Sequence, residues 1–253
     1  MMFNLNLYKE KLTTDFIGQS IQYYSQLDST NTKTWELISE KAENGTVVIT
    51  DNQTKGRGRQ TNKWISIPGK GLTFSVMLYP NALPSQINLY SLIAGLAITD
   101  CLIEYDIQAQ LKWPNDILIN GKKVGGILCE SKISRGVIKS MVIGIGVNVN
   151  ENIKEFSEDL RNNVTSLIIE SGKQYQLEIL LANILNHLEH RIQDKDDTQL
   201  TDWEKRCAHL NQKVTFHSGD KIVTGVFKGL TPKGEAILLV GGKENVFQSG
   251  EIV

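Results

Sequence analysis

The stretch Lys112-Trp113-Pro114-Asn115-Asp116-Ile117-Leu118-Ile119-Asn120-Gly121-Lys122-Lys123-Val124-Gly125-Gly126-Ile127-Leu128 decides how this chain is read. Asn120-Gly121 sits between two apolar runs, and that dipeptide favours the positive-φ tight turn of a β-hairpin. Strands are therefore predicted over residues 116–119 and 124–130. Pro114 cannot donate to a ladder, so it ends a strand predicted over 109–112 and leaves Asn115 and Asp116 at its mouth. Asp116 offers the hard carboxylate oxygen that magnesium prefers, with capping of the turn as the alternative. Lys123 follows seven residues after Asp116, and the hairpin can return it to the same mouth. It is either a ligand-facing cation or a solvated edge charge. The pair Gly125-Gly126 favours the first, because paired glycines inside a strand mark close approach of a ligand or backbone.

Working outward, residues 138–149 read as a further strand containing Gly144-Ile145-Gly146. Upstream, residues 20–27 and 46–50 read as strands, and residues 72–78 alternate as a half-buried strand. Trp35, Ile38 and Ala42 follow Asp28-Ser29-Thr30-Asn31 at helical spacing, with Ser29 or Thr30 as N-cap. Leu89, Leu92, Ile93, Leu96 and Ala97 form an apolar helical stripe, and a second amphipathic helix is predicted over 177–192. After about Leu210 short β-type runs cover 213–216, 223–228, 236–240 and 244–248. They are punctuated by Gly219-Asp220, Pro232-Lys233-Gly234 and Gly241-Gly242. The expected organisation is an α+β main domain over 1–210 and a small β-barrel or sandwich over 211–253.

Residues 53–59 read Gln53-Thr54-Lys55-Gly56-Arg57-Gly58-Arg59, and Lys63-Trp64 follow. Lys55, Arg57, Arg59 and Lys63 place four cations within nine positions, and the glycines permit close backbone approach to a ligand. A phosphate or adenylate is the natural partner; an exposed basic loop for nucleic acid is the alternative. The segment is not a Walker A loop, since G-x-x-x-x-G-K-[ST] occurs nowhere, and it is not a dinucleotide fingerprint, because Thr61 stands where a third glycine is required. No Ser-His-Asp or Cys-His constellation is readable, so the chemistry expected is positioning and charge neutralisation.

Composition bounds the rest. Twenty-seven Lys and Arg against 28 Asp and Glu give a formal net charge of -1 over 253 residues, without the overall basic field of a non-specific nucleic-acid binder. Three scattered cysteines suit a reducing cytoplasm, and the four histidines form no recognised metal motif. No signal-type segment is read at the N-terminus, and no stretch is expected to approach the ~20 apolar residues of a membrane span.

Taken in order and spacing, Ser29-Thr30-Asn31, Gln53 with Gly56-Arg57-Gly58-Arg59 and Trp64, Lys112-Trp113-Pro114-Asn115-Asp116, Lys123 with Gly125-Gly126, and Gly144-Ile145-Gly146-Val147-Asn148-Val149 resemble the biotin protein ligase family. The resemblance runs from about Ser20 to the C-terminus. It implies a catalytic domain related to class II aminoacyl-tRNA synthetases and lipoate ligases, a mixed sheet with helices, and a C-terminal SH3-like barrel. It implies a ligase that uses ATP, biotin and Mg2+ to form biotinyl-5'-AMP, then biotinylates a lysine of a biotin carboxyl carrier protein of acetyl-CoA carboxylase or a related carboxylase. By the same resemblance Ser29, Thr30, Asn31, Gln53, Arg57, Gly58, Arg59, Lys123, Gly125 and Gly126 face biotin. Arg59, Trp64, Lys112, Asn115 and Asn148 face the nucleotide, Asp116 the metal, and Lys112, Lys123 and Arg57 carry catalysis. Core packing is the competing role for Trp64 and Trp113. The tail from about Asn211 is expected to serve carrier or ATP engagement more than biotin recognition.

The chain departs from the family at Thr61 and Asn62, where many relatives carry another Gly and Arg or Asn. Only 28 residues precede Ser29, too few for the helix-turn-helix of repressor relatives. The expectation is a monomeric or homodimeric cytoplasmic enzyme without specific DNA binding. A lipoate or octanoate ligase or transferase is the nearest alternative, and a nucleic-acid module the more distant one.

Overall fold

A computed structural model describes residues 3–194, 198–219 and 221–252. Asp220, part of the turn predicted at Gly219-Asp220, lies outside the described residues. The larger sheet has seven strands: β1 (Ile21–Tyr24), β2 (Val47–Thr50), β3 (Leu72–Leu78), β4 (Gln110–Lys112), β5 (Asp116–Ile119), β6 (Lys122–Ser134) and β7 (Val137–Val147). Their spatial order is β1-β2-β3-β7-β6-β5-β4, parallel only between β1 and β2. Asn120 and Gly121 both take positive φ, 51° and 77°, as the Asn-Gly signal requires.

Six helices are described: α1 (Leu5–Lys11), α2 (Thr30–Ser39), α3 (Ile87–Ile103), α4 (Leu167–Ser171), α5 (Leu177–Gln193) and α6 (Gln199–Lys205). The expectation that no stretch approaches a membrane span needs correction. Pro84–Ile103 is 20 residues and apolar enough by length and composition to cross a bilayer. It instead packs against β6, α5 and α6 as a core helix. Ion pairs fix this helix layer. Asp100 of α3 holds Arg191 of α5 and Arg206 just after α6, each at 2.7 Å, and Arg191 also reaches Asp202 at 3.0 Å. Glu189 of α5 accepts the backbone N–H groups of Asp15, Phe16 and Ile17, which ties the segment after α1 to the helix.

Strand β3 also corrects its prediction. All seven of its residues are buried, not alternate ones. Its polar positions Thr73 and Ser75 lie beneath the basic loop and α2, which cover the face that would otherwise meet water. The sequence pattern could not show that cover.

The C-terminal sheet has five antiparallel strands: β8 (Lys213–Ser218), β9 (Lys221–Leu230), β10 (Ala236–Val240), β11 (Lys243–Phe247) and β12 (Glu251–Ile252), in the order β11-β10-β9-β8-β12. Strand β12 is too short to be read from sequence, yet it carries the chain end back to the main domain. Trp113 is buried, packs on Phe216 with ring centroids 5.5 Å apart, and donates its indole N–H to the Gly234 carbonyl at 3.1 Å. His209 stands edge-on to Phe227 at 4.3 Å and to Trp203 at 6.3 Å, buried at 6% exposure.

Neither ring nitrogen of His209 has a hydrogen-bond partner among the described residues. Burial disfavours its imidazolium and Lys112 adds repulsion, so its pKa falls from 6.5 to about 4. An unfolded chain takes up this proton near pH 6.5, whereas the folded one resists until about pH 4. The stability contributed by neutral His209 is therefore complete above pH 6.5 and is lost as pH falls toward 4, up to about 3 kcal/mol. Buried Glu151, raised to about 7 by desolvation, acts in the opposite sense over part of this range. The comparison must therefore be between variants. His209→Phe is expected to lose less stability than the unaltered chain between about pH 7 and about pH 5, measured by urea unfolding.

Candidate active site

One cleft gathers most of the residues singled out by sequence. Its floor is the face of β6 and β7 that carries Gly126, Leu128, Gly144 and Gly146. One wall is the start of α2. The basic loop arches across, the Lys112–Asp116 turn closes one end, and Glu251 of β12 joins from the C-terminal sheet. Ser29, Thr30, Asn31, Gln53, Arg57, Gly58, Arg59, Trp64, Lys112, Asn115, Asp116, Lys123 and Gly126 all line it.

The α2 wall is a connected polar network. Ser29 holds the N-cap position with extended backbone, but its hydroxyl makes no capping hydrogen bond. The Thr30 N–H donates to Gln53 Oε1 at 2.7 Å, and the Thr30 hydroxyl lies 3.1 Å from the same oxygen. Ser75 Oγ is 2.7 Å from both Thr30 Oγ1 and Asn31 Oδ1. This buried serine was not singled out by sequence. A hydroxyl amid the apolar residues of β3 was its available signal.

Two glycines on β7 admit the side chains above them. A Cβ on Gly144 would collide with the Asn31 carboxamide, and one on Gly146 with the Trp64 indole. Trp64 lies across the sheet and donates to Thr73 Oγ1 at 3.3 Å. Packing and cleft lining are thus the same role for this ring.

The basic loop forms a tight return. Arg57 bridges Lys63, and Gly58 N–H donates to the Asn62 carbonyl at 2.8 Å. Thr61 and Asn62, where the family pattern is broken, sit in that return. At one end Arg57 Nη2 lies 3.2 Å from Glu130 Oε1. At the other, Arg59 Nη1 donates to the Gly250 carbonyl at 2.8 Å. Burial lowers the Arg59 pKa, while nearby Glu251 and Asp116 favour its charge.

The hairpin does return Lys123 to the mouth. Its Nζ lies 2.6 Å from Asp116 Oδ1, above Gly126, helped by an irregularity in the β5–β6 register after Ile117. Asp116, expected on the magnesium side, is thereby ion-paired with Lys123. Among the described residues no group of three or more His, Cys, Asp or Glu side chains could hold a metal ion. One paired carboxylate fits magnesium only if the ion arrives on a phosphate substrate with most of its own ligands.

Two other expectations are corrected. Gly125 faces away from the cleft: a Cβ there would press on Ile117 and Val147, so it serves strand packing. Asn148 does not line the cleft either. It is buried, and its amide donates to the Thr165 carbonyl at 2.9 Å. Alternation along β6 puts Gly125 on the opposite face from Gly126, whereas Asn148 lies just past the end of β7 and turns its amide to Thr165. Sequence reading also missed Glu130 and Glu251. The signal for Glu130 was a single charge at the end of the apolar run 124–129; Glu251 had none.

The cleft is lined by five cations, Arg57, Arg59, Lys63, Lys112 and Lys123, against the carboxylates Asp116 and Glu251. That surplus in a half-buried space suits a polyanionic substrate. The sequence model of the biotin/lipoate A/B protein ligase family matches residues 23–148, and that of the biotin protein ligase C terminal domain matches residues 209–253. The bifunctional ligase/repressor BirA of Bacillus subtilis is 38% identical over 242 residues, 93% of this chain and 73% of that protein. The chain belongs to the biotin protein ligase family. Within that family, the biotin–[acetyl-CoA-carboxylase] ligase of Mycobacterium tuberculosis is 28% identical, covering 93% of this chain and 89% of that one. The biotin protein ligase from Aquifex aeolicus, solved in complex with biotin and ATP, superposes with a TM-score of 0.80. Its sequence identity is 30%, over 93% of this chain and 98% of that one. The expected mixed sheet with a separate C-terminal β-domain is the fold of these ligases.

The floor geometry gives a direct test. Gly146→Ala must displace the Trp64 indole, because the added methyl falls among its ring atoms. The expected cost is about 1–3 kcal/mol of stability. Trp64 fluorescence, taken as the difference from a Trp64→Phe background, should shift to longer wavelength. An unchanged spectrum and midpoint would show that the floor tolerates a side chain.

Proposed function

We propose that this chain is an ATP-dependent ligase that joins biotin to AMP and then passes it to a lysine of a biotin carboxyl carrier protein. The observation that carries the reading is the pairing of a cation-rich loop with Lys112 and Lys123 over a glycine floor, beside the polar start of α2. In the first step a biotin carboxylate oxygen attacks the α-phosphorus of ATP and pyrophosphate leaves. Both reactants are anions, so their approach is opposed until positive charge is placed between them. Lys123 is assigned to that position, and Arg57, Arg59 and Lys112 line the same cleft. In the second step the acceptor lysine, as free amine, attacks the acyl carbon; the acyl–phosphate bond breaks, AMP leaves and a proton is released. Lys112 is assigned to the charge on the departing phosphate.

Ser29, Thr30 and Gln53 are assigned to the biotin head. Ser29 brings a hydroxyl unused in capping, and Thr30 with Gln53 is already oriented by hydrogen bonds. Magnesium enters as Mg-ATP, with Asp116 the nearest carboxylate to exchange its lysine for the ion. Glu251 and the Gly250 carbonyl bring the C-terminal sheet to the site, which supports a role for that part in ATP or carrier engagement. The acceptor is expected on acetyl-CoA carboxylase or a related carboxylase. A cytoplasmic location is proposed from the free cysteines Cys101, Cys129 and Cys207.

Two experiments test the reading. Biotin with Mg-ATP should support pyrophosphate exchange without any carrier, and biotin but not lipoate, each with ATP, should raise the melting temperature. Failure of biotin-dependent exchange by purified protein would overturn the adenylation step. The roles of Lys123 and Arg59 separate in variants. Lys123→Met removes the charge and leaves Asp116 unpaired. Loss of about 2–4 kcal/mol of transition-state stabilisation should slow adenylation roughly 30- to 1000-fold. Arg59→Gly frees the loop from Gly250 and loosens its backbone. Adenylate should still form but escape, so that lysines of an added bystander protein become biotinylated.

A further inference from the structure

The geometry points to Glu130 as a positioning residue that latches the basic loop to the biotin-facing helix, an assignment that rests on the ligase reading above. Glu130 ends the apolar part of β6 and faces α2, with its side chain 26% exposed. Its carboxylate serves two elements. Oε2 accepts the Trp35 indole N–H at 2.9 Å and the Asn31 amide at 3.1 Å, both from α2, and Arg57 Nη2 of the loop at 3.5 Å. Oε1 is the closer oxygen to that guanidinium, 3.2 Å from the same Nη2. One carboxylate thus joins α2 to the basic loop, seven residues along β6 from Lys123. Trp35 is also covered by the Lys132 ammonium, 4.7 Å from its ring centroid, so the α2 side of the latch is held independently.

This arrangement makes the two functions of the side chain separable. In Glu130→Gln the amide oxygen still accepts from Trp35 and Asn31, while its NH2 group turns toward Arg57, which cannot accept it. The helix anchor survives, while the ion pair and the shorter of the two Arg57 contacts are lost, leaving only the 3.5 Å contact to the retained oxygen. With Arg57 held at Glu130 and Arg59 at Gly250, opening the loop requires both contacts to break. Releasing the first should raise the rate at which finished adenylate leaves the cleft. The Arg57 guanidinium is about half exposed, so the effect expected is modest, about three- to fivefold.

The experiment follows the dissociation of preformed biotinyl-adenylate from the full chain, with pyrophosphate exchange by the unaltered chain as the check on the underlying reading. Expected results are faster release from Glu130→Gln with an unchanged melting temperature, and no further increase when Glu130→Gln is added to Arg57→Gln. A merely structural glutamate would lower stability without this non-additivity. Unchanged release from Glu130→Gln, or a full additional increase in the Arg57→Gln background, overturns the latch. Absence of exchange by the unaltered chain would instead remove the ligase reading on which it stands.

Discussion

Concentrating positive charge in a half-buried cleft is the constraint around which this fold is arranged. Five cations face one another there, and their mutual repulsion grows as water is excluded. Among the described residues, three of them are held by groups from other parts of the chain: Lys123 by Asp116 across the hairpin, Arg57 by Glu130 on β6, Arg59 by the Gly250 carbonyl before β12. None of these contacts is worth much as an exposed salt bridge. Their value is geometric, since each fixes a charged terminus where a polyanion will need it.

The same economy of placement governs the floor. Side chains rising from β7 would keep α2 and the loop away from the sheet, so Gly144 and Gly146 stand where Asn31 and Trp64 descend. The polar groups so buried are then satisfied within the network of Gln53, Thr30, Ser75, Asn31 and Glu130. A buried network of this kind is rigid when every member is paired. That rigidity presents the unused Ser29 hydroxyl and the cations as a preorganised surface.

What could be read in the sequence divides along a physical line. The Asn120-Gly121 hairpin, the α3 and α5 stripes and the basic loop announce themselves because each is local: turn dihedrals, helical period and charge density are properties of a few adjacent residues. The Lys123 return was legible because a hairpin converts sequence distance into spatial contact by a fixed rule. Gly125 was misplaced because strand alternation decides which face a residue takes, and Asn148 because the chain leaves β7 at Val147 and its amide is taken by Thr165, 17 residues on. Glu130 and Ser75 gave only faint signals, and Glu251 none, for another reason. The contacts of Ser75 and Glu130 are set by what packs opposite them, from 44 residues away for Ser75 and Asn31 to 99 for Glu130 and Asn31.

The C-terminal sheet shows why such long-range contacts fall where they do. It joins the main domain through buried aromatic packing, Trp113 on Phe216 and His209 between Trp203 and Phe227, so its orientation is set by shape as well as by charge. Trp113 belongs to the turn that also carries Lys112, Asn115 and Asp116. Fixing Trp113 to Gly234 therefore fixes this cleft-lining turn against the sheet that presents Gly250 to Arg59. The two ends of the cleft are coupled through one rigid interface: the turn that positions Lys123 by way of Asp116, and the loop that Arg59 ties down. The C-terminal sheet thus reaches the cleft in two ways, by lining it with Glu251 and by restraining the basic loop through the Gly250 carbonyl.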